Sequence, residues 1–227
     1  MSKQFLIAIA AIVVILGGIV FVSNHNKQNS LPGSSGTPTH HVEGTSPEGV
    51  TLIEYGDYEC PVCGSYFPVV KQVAAKYSDK IIFQSRNLPL TSIHPNAFAG
   101  ARAAEAAGLQ GQYWEMHDLL YENQDPTGQS GWVASRDPLN YFEQYADQLK
   151  LNKSQFDNDY ASEQVNNAIN ADLDAFAKTG DEMATPTFYL DGKKVGNAQL
   201  VDSTGEPSLD AFSKVLDTEI AKKAPKQ

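Results

Sequence analysis

The chain has 227 residues, 41% of them hydrophobic, and so has room for one core of ordinary size with an inserted subdomain. Its 17 lysine and arginine residues against 27 aspartate and glutamate residues give a formal net charge of −10. Nucleic-acid binding needs basic side chains to displace counterions from phosphates, so this acidic chain without a basic run is predicted not to bind nucleic acid.

The first element in the chain is an uninterrupted apolar run, "FLIAIAAIVVILGGIVFV", at residues 5–22. As a helix it would be about 27 Å long, which is sufficient for the hydrocarbon core of a bilayer. A cleaved signal peptide would have a shorter apolar stretch and small residues at a cleavage site, and the following "SNHNKQNS" offers no such pattern. We therefore predict an uncleaved signal anchor at residues 1–22, with the rest of the chain outside the cytoplasm.

Residues 23–49 are rich in Asn, Ser, Gly, Pro, Thr and His and show no apolar periodicity. Such a composition buries too little apolar surface to offset the entropy of ordering, so it predicts a flexible linker. The adjacent His40 and His41 are a possible metal-binding pair, but histidines in a disordered linker are usually solvated. The remaining residues, 50–227, are predicted to form the folded domain.

The domain begins with a β-branched apolar stretch at residues 50–56, which predicts a buried strand. Apolar residues at helical spacing follow over 61–77, and "KIIFQSRNLPL" predicts a second strand ended by Pro89. An alanine-rich helical block occupies about residues 95–178. Strands resume with "TPTFYL", a "DG" turn and "KKV", before a last helix at about 208–222. This order predicts an α/β sheet with helices on its faces and a helical insertion.

The only two cysteines, Cys60 and Cys63, lie at the junction of the first strand and helix. As a structural staple they would close a very small and tight ring, which removes little entropy from the unfolded chain. As a metal half-site they would need two more ligands, but no other cysteine exists, and His94 and His117 are 23 positions apart. We therefore predict neither a metal nor another cofactor.

A redox pair is the interpretation with a physical mechanism. Cys60 at a helix start meets unpaired backbone N–H groups and the positive end of the helix dipole, which stabilise a thiolate. Cys63 lies one turn further on the same face, where it can resolve a mixed disulfide.

Three stretches together resemble one known family. The strand–CPVC–helix unit, "RNLPL…HPNAFAGARAAEAAGLQGQYWEMHDLLYENQ" and "TPTFYLDGKKV" are similar to the DsbA-like thioredoxin-fold thiol–disulfide oxidoreductases, in the branch that is membrane-anchored or secreted in bacteria. The resemblance covers about residues 50–222. It implies a thioredoxin-like α/β fold with an inserted helical subdomain.

The resemblance also implies roles for individual residues. Cys60 would be the nucleophile and Cys63 the buried resolving thiol. Thr185–Pro186 matches the family's cis-proline loop, whose backbone pairs with an extended substrate. Pro61 and Val62, between the cysteines, would complete this substrate-binding surface. On its own, Pro186 would be read as an ordinary proline at a strand start.

Glu54 matches the buried acid that family members carry beneath the active site. There its pKa should be raised, which suits it to exchange a proton with Cys63; the alternative is an exposed strand carboxylate. The other ionisable side chains nearby are expected to be solvated, in the case of Asp57 and Glu59, or packed in the helical block, in the case of His94 and His117.

One departure from the family concerns the oxidising strength. The strongest oxidants carry Pro-His between the cysteines, whereas this chain carries Pro61–Val62. Valine offers neither charge nor hydrogen bond, so we expect a less stabilised Cys60 thiolate and a weaker oxidant.

The implied function is an extracytoplasmic enzyme that oxidises reduced exported proteins and is itself reoxidised by a membrane redox partner. The same chemistry in reverse, a reductase or isomerase, is one alternative. Another is a non-catalytic module that binds a peptide or copper, although Met183 is the only methionine near the cis-proline loop.

Overall fold

The computed structural model describes residues 36–224. The signal anchor predicted at residues 1–22, and the first part of the predicted linker at 23–35, lie outside the described residues. Among residues 36–224, no helix is long and apolar enough to cross a membrane.

A five-stranded mixed sheet forms the centre of the domain, in the order β1-β3-β2-β4-β5. The strands are β1 (His41–Glu43), β2 (Thr51–Gly56), β3 (Ile82–Asn87), β4 (Thr187–Leu190) and β5 (Lys193–Val195). β2 and β3 are parallel, and the other neighbours are antiparallel. The predicted α/β sheet is thus confirmed, with the two hydrophobic strands β2 and β3 next to each other at its centre.

β1 was not expected, because residues 23–49 had been predicted to be a flexible linker. That prediction is wrong for the segment around His41, which pairs antiparallel with Ser85 of β3. Thr39 is buried, and its backbone N–H and hydroxyl donate to the Asp172 carboxylate at 2.8 and 2.6 Å. His41 is not simply solvated either, since its ring stacks on Tyr113 at 3.4 Å and its Nε2 lies 2.9 Å from Glu105. A segment with few apolar residues is therefore ordered by buried polar partners.

Two helices cover one face of the sheet. They are α1 (Pro61–Lys76), which follows β2, and α7 (Leu209–Lys223), which ends the described chain. The aromatic side chain of Tyr66 on α1 packs against Phe188 of β4 and Phe212 of α7, with ring centroids 5.6 and 6.3 Å apart. This packing fixes the axis of α1 relative to the sheet, and with it the position of the helix N-terminus.

The predicted helical insertion lies between β3 and β4. Its helices are α2 (Ala97–Gly108), α3 (Tyr113–Glu122), α4 (Leu139–Gln148), α5 (Lys153–Tyr160) and α6 (Glu163–Ala177). Four fully buried alanines of α2, Ala103, Ala104, Ala106 and Ala107, let the neighbouring helices approach closely. α6 covers the second face of the sheet, where Phe176 packs edge-on against Tyr55.

These elements bring distant parts of the chain to the carboxyl end of β2. α1 starts there immediately after Cys60, and β4 runs antiparallel beside β2, with Thr187 opposite Tyr55. The residues just before β4 therefore lie next to the start of α1.

Candidate active site

Cys60 is the N-cap residue of α1, with an extended backbone (φ −71°, ψ 119°), and Pro61 follows in the first turn. Proline is well suited to this position because its missing N–H would have had no partner in the helix. The pKa of Cys60 is lowered to about 6, chiefly by a hydrogen bond from the Cys63 side chain. The Thr185 side chain and the backbone N–H groups of Cys63 and Val62 also lower it, whereas burial acts in the opposite direction.

Cys63 differs from Cys60 in almost every respect that governs thiol reactivity. Both cysteines are free thiols, but Cys63 is 0% exposed. Burial raises the pKa of Cys63 well above its ordinary value, and the hydrogen bond between the Cys63 and Cys60 side chains raises it further. Cys60 is itself only 5% exposed, so the two sulfurs differ chiefly in protonation: the pKa of Cys60 is lowered, and that of Cys63 is raised.

The segment before β4 approaches Cys60 from the other side. The Thr185–Pro186 peptide bond is cis, and the Cys60 thiol donates to the Thr185 carbonyl at 3.5 Å. Val62 and Met183, two chain neighbours of these residues, are about half exposed. The Thr185 carbonyl thus lies beside Cys60, and the role of Thr185, Pro186, Pro61 and Val62 in substrate binding stays a prediction.

Glu54 is buried, as predicted, and the alternative of an exposed strand carboxylate is wrong. It lies in β2 between Ser85 of β3 and Phe188 of β4, and 5% of its surface is exposed. Burial raises the pKa of Glu54 to about 8. A negative charge on Glu54 would in turn raise the pKa of Cys63, so the protonation states of the two groups are linked.

A cavity of about 360 Å³ borders Glu54. His117 also lines this cavity and is enclosed by aromatic rings, with the Trp114 and Tyr121 centroids 5.2 and 5.1 Å away. Burial lowers the pKa of His117, which keeps the imidazole neutral. His117 is therefore a packed residue of the helical block, as expected.

Asp57 is the main residue of the site that the sequence reasoning missed. It had been expected to be solvated, but it is 1% exposed. Its carboxylate accepts hydrogen bonds from the backbone N–H of Glu59 at 2.8 Å and of Leu90 at 2.9 Å, and it contacts His94 Nδ1 at 2.7 Å. The Cys60 N–H donates to the Asp57 carbonyl. Asp57 thus ties the loop that carries Cys60 to the loop after β3.

The same two loops meet at a second point. Glu59, also expected to be solvated, is half-buried and accepts a hydrogen bond from the Asn96 N–H at 2.5 Å. His94 is more than a packing residue, since its Nδ1 lies within hydrogen-bond distance of the Asp57 carboxylate. An aspartate that accepts from the N–H two residues later is a common turn signal, so the Asp57–Glu59 bond was the one part of this arrangement readable from the sequence.

Gln124, in the loop after α3, was also missed. Its Nε2 donates to the carbonyls of Tyr58 at 2.6 Å and Cys60 at 3.0 Å. Gly64 makes this contact possible, because a Cβ at that position would lie only 2.0 Å from Gln124 Oε1. The helical insertion therefore helps to hold the backbone at Cys60.

The arrangement provides a thiolate nucleophile, a second thiol within bonding reach and a buried acid, which are the groups that thiol–disulfide exchange requires. For residues 36–224, no three His, Cys, Asp or Glu side chains are grouped as a metal site.

Comparison with known proteins agrees with this fold. The family model described as "Thioredoxin" matches residues 36–217. Among solved structures, a thioredoxin-like oxidoreductase from Silicibacter pomeroyi DSS-3 has a TM-score of 0.62 and 24% identity over 87% of this chain and 100% of that chain. Oxidised BdbD from Bacillus subtilis has a TM-score of 0.62 and 22% identity, with 82% and 97% covered. Wolbachia pipientis alpha-DsbA1 has a TM-score of 0.63 and 18% identity, with 84% and 97% covered.

Curated relatives are similar in sequence over a limited part of their length. The Na(+)/H(+) antiporter NhaA 3 of Salinispora tropica is 35% identical over 173 residues, which are 76% of this chain and 25% of that protein. The Na(+)/H(+) antiporter NhaA 1 of Mycolicibacterium gilvum is 36% identical over 156 residues, 68% of this chain and 24% of that protein. The chain thus spans about a quarter of the length of the curated relatives it matches.

Proposed function

The chain belongs to the thioredoxin family, and from this premise we propose that it is a DsbA-like thiol–disulfide oxidoreductase that introduces disulfide bonds into exported proteins. The observation that carries the proposal is the unequal cysteine pair. Cys60 at the start of α1 has a pKa of about 6, whereas Cys63 is fully buried and protonated. Such a pair has one sulfur that reacts with substrate and one that is protected from it.

The reaction starts with Cys60 and Cys63 joined in a disulfide. A substrate thiolate attacks the Cys60 sulfur, the bond between the two cysteines breaks, and Cys63 leaves as a thiolate that must gain a proton. A second substrate thiolate then attacks the substrate sulfur of the mixed disulfide and releases the Cys60 thiolate. The substrate has lost two electrons and two protons, and the cysteine pair has gained the electrons.

Glu54 is suited to supply the proton that Cys63 needs. With a pKa of about 8, it is protonated at neutral pH. Cys63 is buried, so a thiolate there would be a poorly solvated negative charge. Proton transfer from a nearby acid to the leaving sulfur avoids this charge. In this proposal Glu54 is the general acid of the first step, and it regains its proton from solvent.

The pKa of Cys60 supports oxidation of substrates over their reduction. A stabilised thiolate favours the reduced form of the pair, which makes the disulfide form an oxidant. The value of about 6 lies between about 7 for thioredoxin and about 3.5 for the strongest oxidant, as expected with valine at position 62. We therefore propose a moderate oxidant.

We further propose that residues 1–22 anchor the chain in the membrane and that the catalytic domain lies outside the cytoplasm. The apolar run at residues 5–22 supports the anchor, and a disulfide-donating enzyme needs an oxidising compartment. The two electrons would pass to a membrane redox partner that reoxidises Cys60–Cys63. Recovery of an intact N-terminal peptide from the membrane fraction tests the anchor, and a mature start beyond residue 22 would refute it.

The activity is tested by the reduction potential of the cysteine pair. The full chain, in detergent, is equilibrated in glutathione buffers, and its free thiols are counted with a mass-adding alkylating reagent. A potential between about −180 and −120 mV supports a disulfide donor, whereas one near about −270 mV indicates a reductase. A pair that does not titrate would indicate a non-catalytic module. As a matched test, Cys63→Ala mixed with a disulfide-bonded substrate peptide should accumulate a mixed disulfide, because the Cys60 thiolate attacks the peptide disulfide, releases one peptide thiolate and is not displaced by a second cysteine; Cys60→Ala should form none.

A further inference from the structure

The cavity beside Glu54 has the features of a ligand site. Its volume of about 360 Å³ suits a small organic molecule, and four aromatic side chains line it: Phe67, Phe83, Trp114 and Tyr121. Exposed residues of β1 and α1, Glu43 and Lys71, lie at its mouth, and the buried Glu54 lies at its inner end. The cavity therefore connects the solvent to a carboxyl group beneath the active site.

The charged groups of the cavity are unbalanced. Three carboxyl groups line it, those of Glu43, Glu54 and Asp118, but Lys71 is the one lysine or arginine among its lining residues. Lys71 is already engaged, since its Nζ lies 2.6 Å from Asp118 and 3.5 Å from Glu122. Neither Glu43 nor Glu54 forms a salt bridge within residues 36–224. A buried carboxyl group without a partner thus faces an aromatic-lined space.

We propose that this cavity binds a small organic cation, an ammonium group on an apolar body, with the ammonium against Glu54 and the apolar body against the aromatic walls. Aromatic rings attract a cation through their faces, and a carboxylate adds a direct ion pair in a desolvated site. This binding site goes beyond the proposed exchange reaction and does not depend on it. A bound cation would also act on that reaction, because it would hold Glu54 in the ionised state.

The pH dependence of binding follows from the groups that face Glu54. The cation prefers the carboxylate, so its affinity should rise as the pH increases through the pKa of Glu54, about 8. The pKa values of Cys63, Tyr58, Tyr66 and Tyr121 are all raised by burial, and that of His117 is lowered. At the mouth, burial raises the pKa of Glu43 from its acidic ordinary value, that of Asp118 is lowered, and that of Lys71 is raised.

The test compares two soluble probes of similar size, 2-phenylethylammonium and the uncharged 2-phenylethanol. Each is titrated calorimetrically into the full chain, in detergent, at pH 6.5 and pH 8.5. We expect the ammonium to bind about tenfold more tightly than the alcohol at the higher pH, and to lose most of this advantage at the lower pH, where Glu54 is neutral. Equal affinities for both probes, or no saturable binding of the ammonium, would overturn the proposal.

Two variants and a control make the assignment specific. Glu54→Gln should remove the preference for the ammonium at pH 8.5. Glu163→Gln, an exposed glutamate at the start of α6 and outside the cavity lining, should leave it unchanged. Ala74→Leu should fill the cavity and abolish binding of both probes, which gives a second answer if the glutamine variant does not fold. Retention of ammonium binding in Ala74→Leu would place the ligand elsewhere and refute the site. Because binding is read without turnover, a negative result leaves the exchange reaction unaffected.

Discussion

Cys60 and Cys63 owe their different protonation to a displacement of one helical turn. Cys60 precedes the helix and receives hydrogen bonds from its first N–H groups, whereas Cys63 lies inside the helix and faces the core. The two residues between the cysteines then adjust the pKa of Cys60, while the positions of the cysteines on the helix stay the same.

Val62 is the position at which this adjustment is most directly tested. It is 50% exposed, so replacement should not disturb the core. We expect Val62→His to lower the pKa of Cys60 by about one unit below its present value of about 6, because an imidazolium stabilises the nearby thiolate. Absorbance of the thiolate at 240 nm as a function of pH measures the shift. Val62→Gln, of similar size but uncharged, is the control, and an equal shift in both variants would contradict the electrostatic cause.

Glu54 makes a second prediction, which concerns stability. In the unfolded chain this carboxyl ionises near its ordinary pKa of 4.5, whereas in the folded chain it keeps its proton up to about pH 8. Between these two pH values the folded state binds one proton more than the unfolded state. The free energy of unfolding therefore falls as the pH rises from about 4.5 to 8, by at most about 1.4 kcal/mol per pH unit.

Glu54→Gln should remove this loss. In urea unfolding of the reduced protein, we expect the variant to gain stability over the parent protein between pH 5 and pH 8. The exposed Glu115→Gln should follow the parent protein at both values. A Glu54→Gln variant whose stability falls in parallel with the parent would show that Glu54 ionises normally in the folded chain.

At this scale the sequence was a partial guide. Cys60 and Cys63 were predictable as a redox pair because a helix start fixes their surroundings within a few residues, whereas the burial of Glu54 was implied by the family resemblance. Asp57, Glu59 and Gln124 were not predictable, because their partners belong to distant loops. Leu90 and His94 lie more than thirty positions from Asp57. Only the assembled fold shows that the aspartate is buried.

At the scale of elements, a buried carboxylate of α6 holds the segment that leads into β1. Asp172 is fully buried and accepts four hydrogen bonds, from the backbone N–H and hydroxyl of Thr39 and from the backbone and side-chain nitrogens of Asn87. It thereby joins β1, β3 and α6. The composition of residues 36–49 gave no sign of this, because the partner lies 133 positions away from Thr39.

Asp172→Asn tests this role of the carboxylate. The amide would turn an NH₂ group toward at least one of these donors, and we expect a loss of about 2–4 kcal/mol in the free energy of unfolding. Hydrogen exchange should show that β1 loses its protection before the other strands. Asp147→Asn, an exposed aspartate of α4, should change the stability by less than about 0.5 kcal/mol. A similarly small effect at Asp172 would contradict the proposed role.

At the scale of the whole molecule, oxidation of Cys60 and Cys63 to a disulfide should change the free energy of unfolding of the domain. The folded, reduced protein has a Cys60 thiolate with a pKa of about 6, lower than the ordinary value of 9.0. Because the pKa is lowered on folding, ionisation of Cys60 adds to the free energy of unfolding. This contribution is complete when the pH is above the ordinary pKa of 9.0, and it is lost as the pH falls through about 6. The oxidised protein has no thiolate and no such contribution. Cys63 does not interfere, because its raised pKa takes effect only at higher pH.

We therefore expect the reduced protein to melt several degrees above the oxidised protein at pH 8, and this difference to shrink at pH 5. Differential scanning calorimetry of the two forms at both pH values measures it. Reduced Cys60→Ser, which cannot form the thiolate, should show no such gain with pH. An oxidised form that is the more stable one at pH 8 would argue against a disulfide donor.

The edge position of β1 also determines how the domain responds to a mechanical load. Tension on the chain that precedes Gly36 enters the domain through Thr39 and β1, so the bonds to Asp172 and the β1–β3 ladder carry it first. In the sheet, β2 and β4, which adjoin the segments that carry Cys60 and Pro186, lie on the far side of β3 from that point. Rupture of β1 would lengthen the connection to the chain ahead of it and relieve the force while the cysteine pair keeps its geometry. A domain pulled from its N-terminal end should therefore yield in two steps, and remain able to react after the first.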